Sequence, residues 1–274
     1  MRVSEWMSTD LVKVRASDLL DAAIIAMDRH AVRHVLVYDH ERCVGVLSDR
    51  DLLEATGWST LRARHAAPDQ QYARDLMSTN LELIGRDEPL SDACWRMFER
   101  RIGCLPVVDE RERVVGILSE RDALRAHQHL RRSVGDDVLL DPTLTHVMSR
   151  ELVTLDVSTS VREAYARSRE LGLRHLFVGA EGWLVGMVSD RDLRQCIGRG
   201  DAERRKLGDI MVNDPLSLAP DARLGAAVDL LVEYRFSSVP VLEARKLVGL
   251  VTIANVLARL ARFLESRQGP GTSV

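Results

Sequence analysis

Gly186-Met187-Val188-Ser189-Asp190-Arg191-Asp192 closes an apolar run in a short polar turn and leads, through Leu193-Arg194-Gln195, into helical sequence. The same wording stands at Gly45-Val46-Leu47-Ser48-Asp49-Arg50-Asp51 and at Gly116-Ile117-Leu118-Ser119-Glu120-Arg121-Asp122. A degraded copy follows at Gly249-Leu250-Val251-Thr252-Ile253-Ala254-Asn255. One supersecondary unit used four times is therefore the first thing the chain implies.

Each copy is preceded by the same order of elements. Met7, Met77, Met148 and Met211 stand 38, 39, 38 and 38 residues before the four motif glycines. In the first repeat, 3–7 reads as a helical lead-in and 11–14 as a strand. Ser17 is a candidate N-cap for a helix over 18–30, whose Leu20, Ala23, Ile24 and Met27 recur at helical spacing. Strands are expected at 34–38 and 43–47, joined by the polar turn Asp39-His40-Glu41-Arg42, and a last helix from Ser48. The second repeat predicts strands at 81–84, 105–108 and 114–118, and helices over 91–100 and from Ser119. The third predicts strands at 152–155, 175–178 and 183–188 and a helix over 161–171. The fourth predicts strands at 216–218, 239–242 and 247–251 and helices over 224–234 and 253–265. A polar connection falls at 57–71. The longest linker, 127–143, carries Arg131-Arg132 and Asp136-Asp137, and 266–274 reads as a frayed tail.

The fold class is α/β (α+β), with repeats at 1–56, 72–126, 143–197 and 207–265. Three short strands and two helices make a thin core. Packing neighbouring sheets face to face buries their apolar sides, which predicts two pairs, first with second and third with fourth. Helix faces are then left for a disc-like association of the pairs.

The bulk numbers fit a globular chain. Its 274 residues suffice to bury roughly 70 to 75% of the unfolded surface. A formal charge of −3 advertises no nucleic-acid partner. Lys stands only at 13, 206 and 246, so the basic groups are nearly all Arg, whose planar fork suits carboxylates and phosphates. No apolar run approaches the roughly 18 residues of a membrane span, and the first residues carry no secretory apolar segment. The cysteines, 43, 94, 104 and 196, form no Cys-x-x-Cys pair and read as inert thiols of a reducing cytoplasm.

The Met ending each lead-in, the apolar-Pro-Val strand (Leu105-Pro106-Val107-Val108, Val239-Pro240-Val241) and the terminal Gly-x-x-Ser/Thr-x-x-Asp/Asn together resemble the CBS domain, named after cystathionine beta-synthase. The resemblance covers nearly the whole chain outside the linkers and tail. It implies two tandem pairs, called Bateman modules, whose clefts hold adenosine nucleotides. It assigns phosphate contact to Ser48, Ser119, Ser189 and Thr252, and ribose contact to Asp51, Asp122, Asp192 and Asn255. It lays the base against the first strand of each unit, near Val12 and Val153. Arg50 and Arg191 in the motif, with Arg33-His34 and Arg174-His175 before the second strand, are candidates to neutralise phosphates.

The chemistry suits such a use. A carboxylate can accept from both hydroxyls of a ribose, and helix N-termini favour phosphate. The same Ser-x-x-Asp is also a capping box, worth about 0.5–2 kcal/mol for the cap alone. Capping alone, and capping combined with ligand contact, both remain open. Repeat four lacks the carboxylate and the Arg, and repeat two has Gly103-Cys104 where repeats one and three have Arg-His. Repeats one and three are accordingly the better candidates for a phosphate-bearing ligand.

The implied function is a non-catalytic regulatory or sensor protein of the cytoplasm. Its ligand is AMP, ADP or ATP, with Mg as a companion ion. Its partners are a regulated protein that the sequence does not name and a second copy of the chain, with neither nucleic acid nor membrane. Two other readings stand beside it: a scaffold or oligomerisation protein with vestigial clefts, and a sensor of S-adenosylmethionine or a cyclic dinucleotide. No covalent chemistry, catalytic cofactor or resident metal is expected. The chain has no phosphate loop of the Gly-x-x-x-x-Gly-Lys-Ser/Thr kind, no Gly-x-Ser-x-Gly and no His-Glu-x-x-His. His127-x-His129 reads as a surface pair. Trp58, Trp95, Trp183 and Tyr165 read as packing anchors, with Trp183 also a candidate for a pair interface.

Overall fold

The computed structural model describes residues 1–56, 71–135, 137–180, 183–244 and 246–268. Trp58, most of the connection at 57–71, Asp136 and the end of the tail lie outside the described residues.

The first repeat contains β1 (Lys13–Arg15), α1 (Leu20–His30), β2 (His34–Asp39), β3 (Arg42–Ser48) and α2 (Asp49–Thr56). A short helix α3 (Ala73–Leu76) leads into the second, which contains β4 (Ile84–Gly85), α4 (Leu90–Arg100), β5 (Cys104–Val108), β6 (Val114–Ser119) and α5 (Glu120–Val134). The third contains β7 (Thr154–Asp156), α6 (Val161–Glu170), β8 (His175–Ala180), β9 (Trp183–Ser189) and α7 (Asp190–Gly198). The last elements are β10 (Val212–Asn213), α8 (Leu224–Glu233), β11 (Ser238–Glu243), β12 (Lys246–Thr252) and α9 (Ile253–Gln268). The remaining lead-ins are 3-10 turns at Val3–Glu5, Leu144–His146 and Leu207–Asp209.

The hairpins repeat one detail. β2 and β3 pair antiparallel with a register shift after Val37, whose partner is Gly45. The same shift follows Val107 opposite Gly116, Val178 opposite Gly186 and Val241 opposite Gly249. In the first three repeats the first strand joins the second in parallel. In the fourth this strand is reduced to a single parallel bridge, Leu218 with Val241, so the strand expected at 216–218 is not formed. β10 instead extends the third repeat's sheet alongside β9.

Each lead-in is housed by the body of another repeat. Val3 is fully buried among Ile84, Leu90 and Leu105 of the second repeat, and Ala73 lies in the core of the first. Leu144 joins the fourth repeat's core and Leu207 the third's. The exchange is reciprocal between repeats one and two and between three and four, which are the tandem pairs of the sequence.

The chain divides into two compact units. One comprises Met1–Thr9, Glu82–Leu152 and Leu216–Val274, and thus the bodies of repeats two and four. Its interior is one continuous apolar core. α4 packs on α9 and α5 on α8 and α9, and Leu118, Leu124, Val228, Leu257 and Leu260 are fully or almost fully buried. Each such Leu contributes about 1.5–3 kcal/mol. The other unit comprises Asp10–Leu81 and Val153–Pro215, the bodies of repeats one and three. It keeps two separate apolar cores, joined where α2 packs on α7.

Several sequence expectations are corrected. α1 begins at Leu20 and Ser17 does not cap it. Asp18 instead closes a turn, accepting from the Arg15 N–H at 2.7 Å, and its carbonyl accepts from Ala73 N–H. The Arg-rich stretch of the expected linker is the C-terminal half of α5, held there by the pair Arg131–Asp229 at 2.7 Å. His127 is buried, not on the surface, with Nε2 3.1 Å from the Leu140 carbonyl. α9 runs on to Gln268, and Arg267 pairs with Asp137 at 2.6 Å. Trp183 is 55% exposed and anchors no core. Trp95 and Tyr165, by contrast, do pack against the apolar cores as expected, and their polar tips donate to Glu265 and Glu54.

Candidate functional site

The motif that defines each repeat lies where the third strand becomes the second helix. All four copies close on themselves in the same way. Ser48 Oγ and the Ser48 N–H both donate to Asp51 Oδ2, at 2.6 and 3.0 Å, and the Asp51 N–H returns to Ser48 Oγ at 3.5 Å. Ser189 and Asp192 repeat the pattern at 2.6, 2.9 and 3.4 Å. Ser119 binds Asp122 at 2.6 and 2.8 Å, and Thr252 binds Asn255 Oδ1 at 2.9 and 2.8 Å. The capping reading thus holds in every repeat. Since a carboxylate only accepts, each serine hydroxyl is the donor and directs its proton to its aspartate's Oδ2.

What differs is the second side-chain atom of the acceptor. Among the described residues no hydrogen bond reaches Oδ1 of Asp51 or of Asp192. Oδ1 of Asp122 receives Arg125 at 3.2 Å, and Asp122 is only 8% exposed. Asn255 Nδ2 donates to Ser149 Oγ at 3.5 Å. Among the four motifs, an unspent acceptor atom therefore survives in repeats one and three alone.

These two repeats share a compact unit, and their motif helices face each other. His34 stands opposite Ser48 across the β2–β3 ladder, and His175 opposite Ser189 across β8–β9. The first helical amides are partly engaged: Asp49 N–H donates to the Arg33 carbonyl at 2.9 Å and Asp190 N–H to that of Arg174 at 2.8 Å. Val12 and Val153 are half-buried against the apolar cores of their own repeats.

The arginines cross from one repeat to the other. Arg50 Nε lies 3.8 Å from Asp190 Oδ2, and Arg191 forms an ion pair with Asp49. Arg33 Nε is 4.0 Å from the same Asp49 carboxylate. Arg194 binds Asp190 at 2.8 Å and also pairs with Glu54. Asp49 and Asp190 are 6% and 7% exposed. Loss of solvent, with Arg50, Arg33 and Arg191 nearby, pushes the His34 pKa down to about 3. Loss of solvent, with Arg50 and Arg174, does the same to His175. Both rings are neutral at ordinary pH.

Of the residues singled out from the sequence, the structure gathers Arg33, His34, Ser48, Arg50, Asp51, Arg174, His175, Ser189, Arg191 and Asp192 around the α2–α7 contact. Ser119, Asp122, Thr252 and Asn255 belong to the other unit. Sequence reasoning missed Asp49, Glu54, Asp190 and Arg194. The available signal was the alternating sign of the motif, Asp-Arg-Asp in repeats one and three, but Glu120-Arg121-Asp122 of repeat two shares it and only the uncharged Ile253-Ala254-Asn255 of repeat four lacks it.

The profile described as CBS domain matches residues 3–57, 73–129, 144–199 and 207–262. The chain belongs to the CBS domain family. It carries four CBS domains, as two Bateman modules. It is 30% identical over 96% of its length to an uncharacterized 33.4 kDa protein in the ribosomal RNA operon of Thermofilum pendens, covering 93% of that protein. Its fold matches the crystal structure of protein MJ1225 from Methanocaldococcus jannaschii with a TM-score of 0.75. The identity there is 18%, over 94% of this chain and 99% of that one. An uncharacterized conserved protein from Pyrococcus horikoshii matches with a TM-score of 0.67 and 19% identity, over 95% of this chain and all of that one. Among the described residues of this CBS protein, no helix is long and apolar enough to cross a membrane, and no three His, Cys, Asp or Glu residues cluster as metal ligands.

Proposed function

We propose that the protein is a non-catalytic regulatory sensor that binds an adenosine nucleotide in the CBS domains of repeats one and three. The observation that carries this is the unspent Oδ1 of Asp51 and Asp192, beside closed counterparts at Asp122 and Asn255. A carboxylate already oriented by its own serine can accept from a ribose hydroxyl without first losing a partner. Val12 and Val153 offer apolar surface to the base. Repeats two and four act as scaffold, since their caps are self-satisfied and their bodies share one core. Occupancy is transmitted through α2 and α7, whose first turns carry the two ribose acceptors, to a partner protein. The binding form is a two-fold assembly of two chains.

Isothermal titration calorimetry with AMP tests the reading. The native chain is expected to bind, and Asp51→Ala and Asp192→Ala are each expected to abolish binding at their own repeat or weaken it at least tenfold. Absence of AMP binding at millimolar ligand would overturn it in favour of a scaffold with vestigial clefts.

A further inference from the structure

The charges around α2 and α7 narrow the ligand class. Three features of the motif would serve a phosphate chain: the serine hydroxyl, the first amide of the helix and the motif arginine. Each is already engaged. The hydroxyl donates to Asp51 or Asp192 Oδ2. The Asp49 and Asp190 amides are held by the carbonyls of Arg33 and Arg174. Arg50 and Arg191 are directed across the α2–α7 contact to Asp190 and Asp49.

The two aspartates matter most. Each sits between the capping serine and the ribose acceptor of its repeat, and each is almost fully buried. Arg33, Arg50, Arg191 and Arg194 are shared among Asp49, Asp190 and Glu54. A polyphosphate tethered to a ribose at Asp51 or Asp192 would have to displace these carboxylates from their arginines. It would then leave them buried beside a further negative charge, an arrangement the low-dielectric setting penalises heavily. A single phosphate brings less negative charge to these carboxylates, and an uncharged 5′ group brings none.

We infer that Asp49 and Asp190 act as selectivity residues, restricting the ligand to adenosine compounds with no more than one phosphate. This rests on the adenosine reading above and goes beyond it by excluding ADP and ATP as the preferred ligands.

Calorimetric titration of the full chain with adenosine, AMP and ATP decides it. AMP is expected to bind at least tenfold more tightly than ATP, with adenosine within tenfold of AMP. Asp49→Asn and Asp190→Asn, each checked for folding by its melting curve, are expected to raise the ATP-to-AMP affinity ratio at least fivefold by releasing Arg191 and Arg50. ATP binding as tightly as AMP in the native chain overturns the inference, with no variant needed. An unmoved ratio in the folded variants overturns it as well. Failure of all three compounds to bind overturns the adenosine reading instead.

Discussion

The Met77 sulfur lies 2.5 Å from the point where a β-carbon on Gly45 would stand, and the Met77 Cβ lies only 3.0 Å from it. The other three repeats reproduce the relationship crosswise. Met7 covers Gly116, Met148 covers Gly249 and Met211 covers Gly186. The near-constant Met-to-Gly spacing within each repeat thus reflects two halves of different contacts. The methionine of one repeat fills the missing side chain of its tandem partner, at the bulge where the hairpin register shifts.

Gly45→Ala is therefore expected to destabilise the protein by about 1–3 kcal/mol. The Met77 sulfur can rotate away, but its Cβ cannot withdraw, because the Met77 N–H is bonded to Ala73 and the next residue, Ser78, exchanges two backbone hydrogen bonds with Val46. Met77→Ala removes the obstacle while losing its own packing. In urea denaturation the double variant should be more stable than the sum of the single effects by about 1 kcal/mol or more. Strictly additive losses would show that the alanine is accommodated in some other way.

The order of elements was legible because the motif repeats and because strand and helix periods alternate within each copy. Assignments failed where a residue's partner lies far along the chain. Ser17 looked like a cap, yet the entry to α1 is set by Gln71 and Ala73. The Arg131 stretch looked like linker because its partner Asp229 is in another repeat. For the candidate site, the residue types at Ser48, Asp51, Ser189 and Asp192 were readable. The destination of Arg50 and Arg191 was not, since only the apposition of α2 and α7 brings Asp190 and Asp49 to them.

The neutral imidazoles of His34 and His175 make stability depend on acid. In the folded chain their pKa values lie near 3, against an ordinary value of 6.5. Between these limits the unfolded chain binds more protons, so stability falls as the pH drops from about 6.5 toward 3. The slope is up to about 1.4 kcal/mol per pH unit for each histidine. The positive charges of Arg33, Arg50 and Arg191 near His34, and of Arg50 and Arg174 near His175, add to the cost of charging the buried rings. Urea midpoints at pH 7 and pH 5 should therefore fall further apart in the native chain than in His34→Asn/His175→Asn, by about 2–4 kcal/mol in unfolding free energy. Equal losses in both proteins would place the acid sensitivity elsewhere.

Asp141 supplies to α8 what that helix's own sequence withholds. The N-cap position is Arg223, which makes no side-chain cap, and Asp141 Oδ1 instead accepts from the Gly225 N–H at 2.5 Å. The neighbouring Pro142 carbonyl takes the Leu224 N–H at 2.9 Å, and Arg223 donates to the Asp141 carbonyl at 3.0 Å. The stretch entering repeat three thus caps a helix of repeat four, with a carboxylate only 7% exposed at the positive end of the helix dipole. Asp141→Ala leaves a buried amide without its acceptor and is expected to cost about 1–3 kcal/mol. Asp141→Asn retains an acceptor but loses the charge, so its cost should be roughly half. Hydrogen exchange distinguishes a capping role from general loosening. The amides of Leu224 and Gly225 should exchange much faster in Asp141→Ala while those of α9 keep their native protection. A uniform rise across both helices would show that Asp141 supports the shared core and not the helix start.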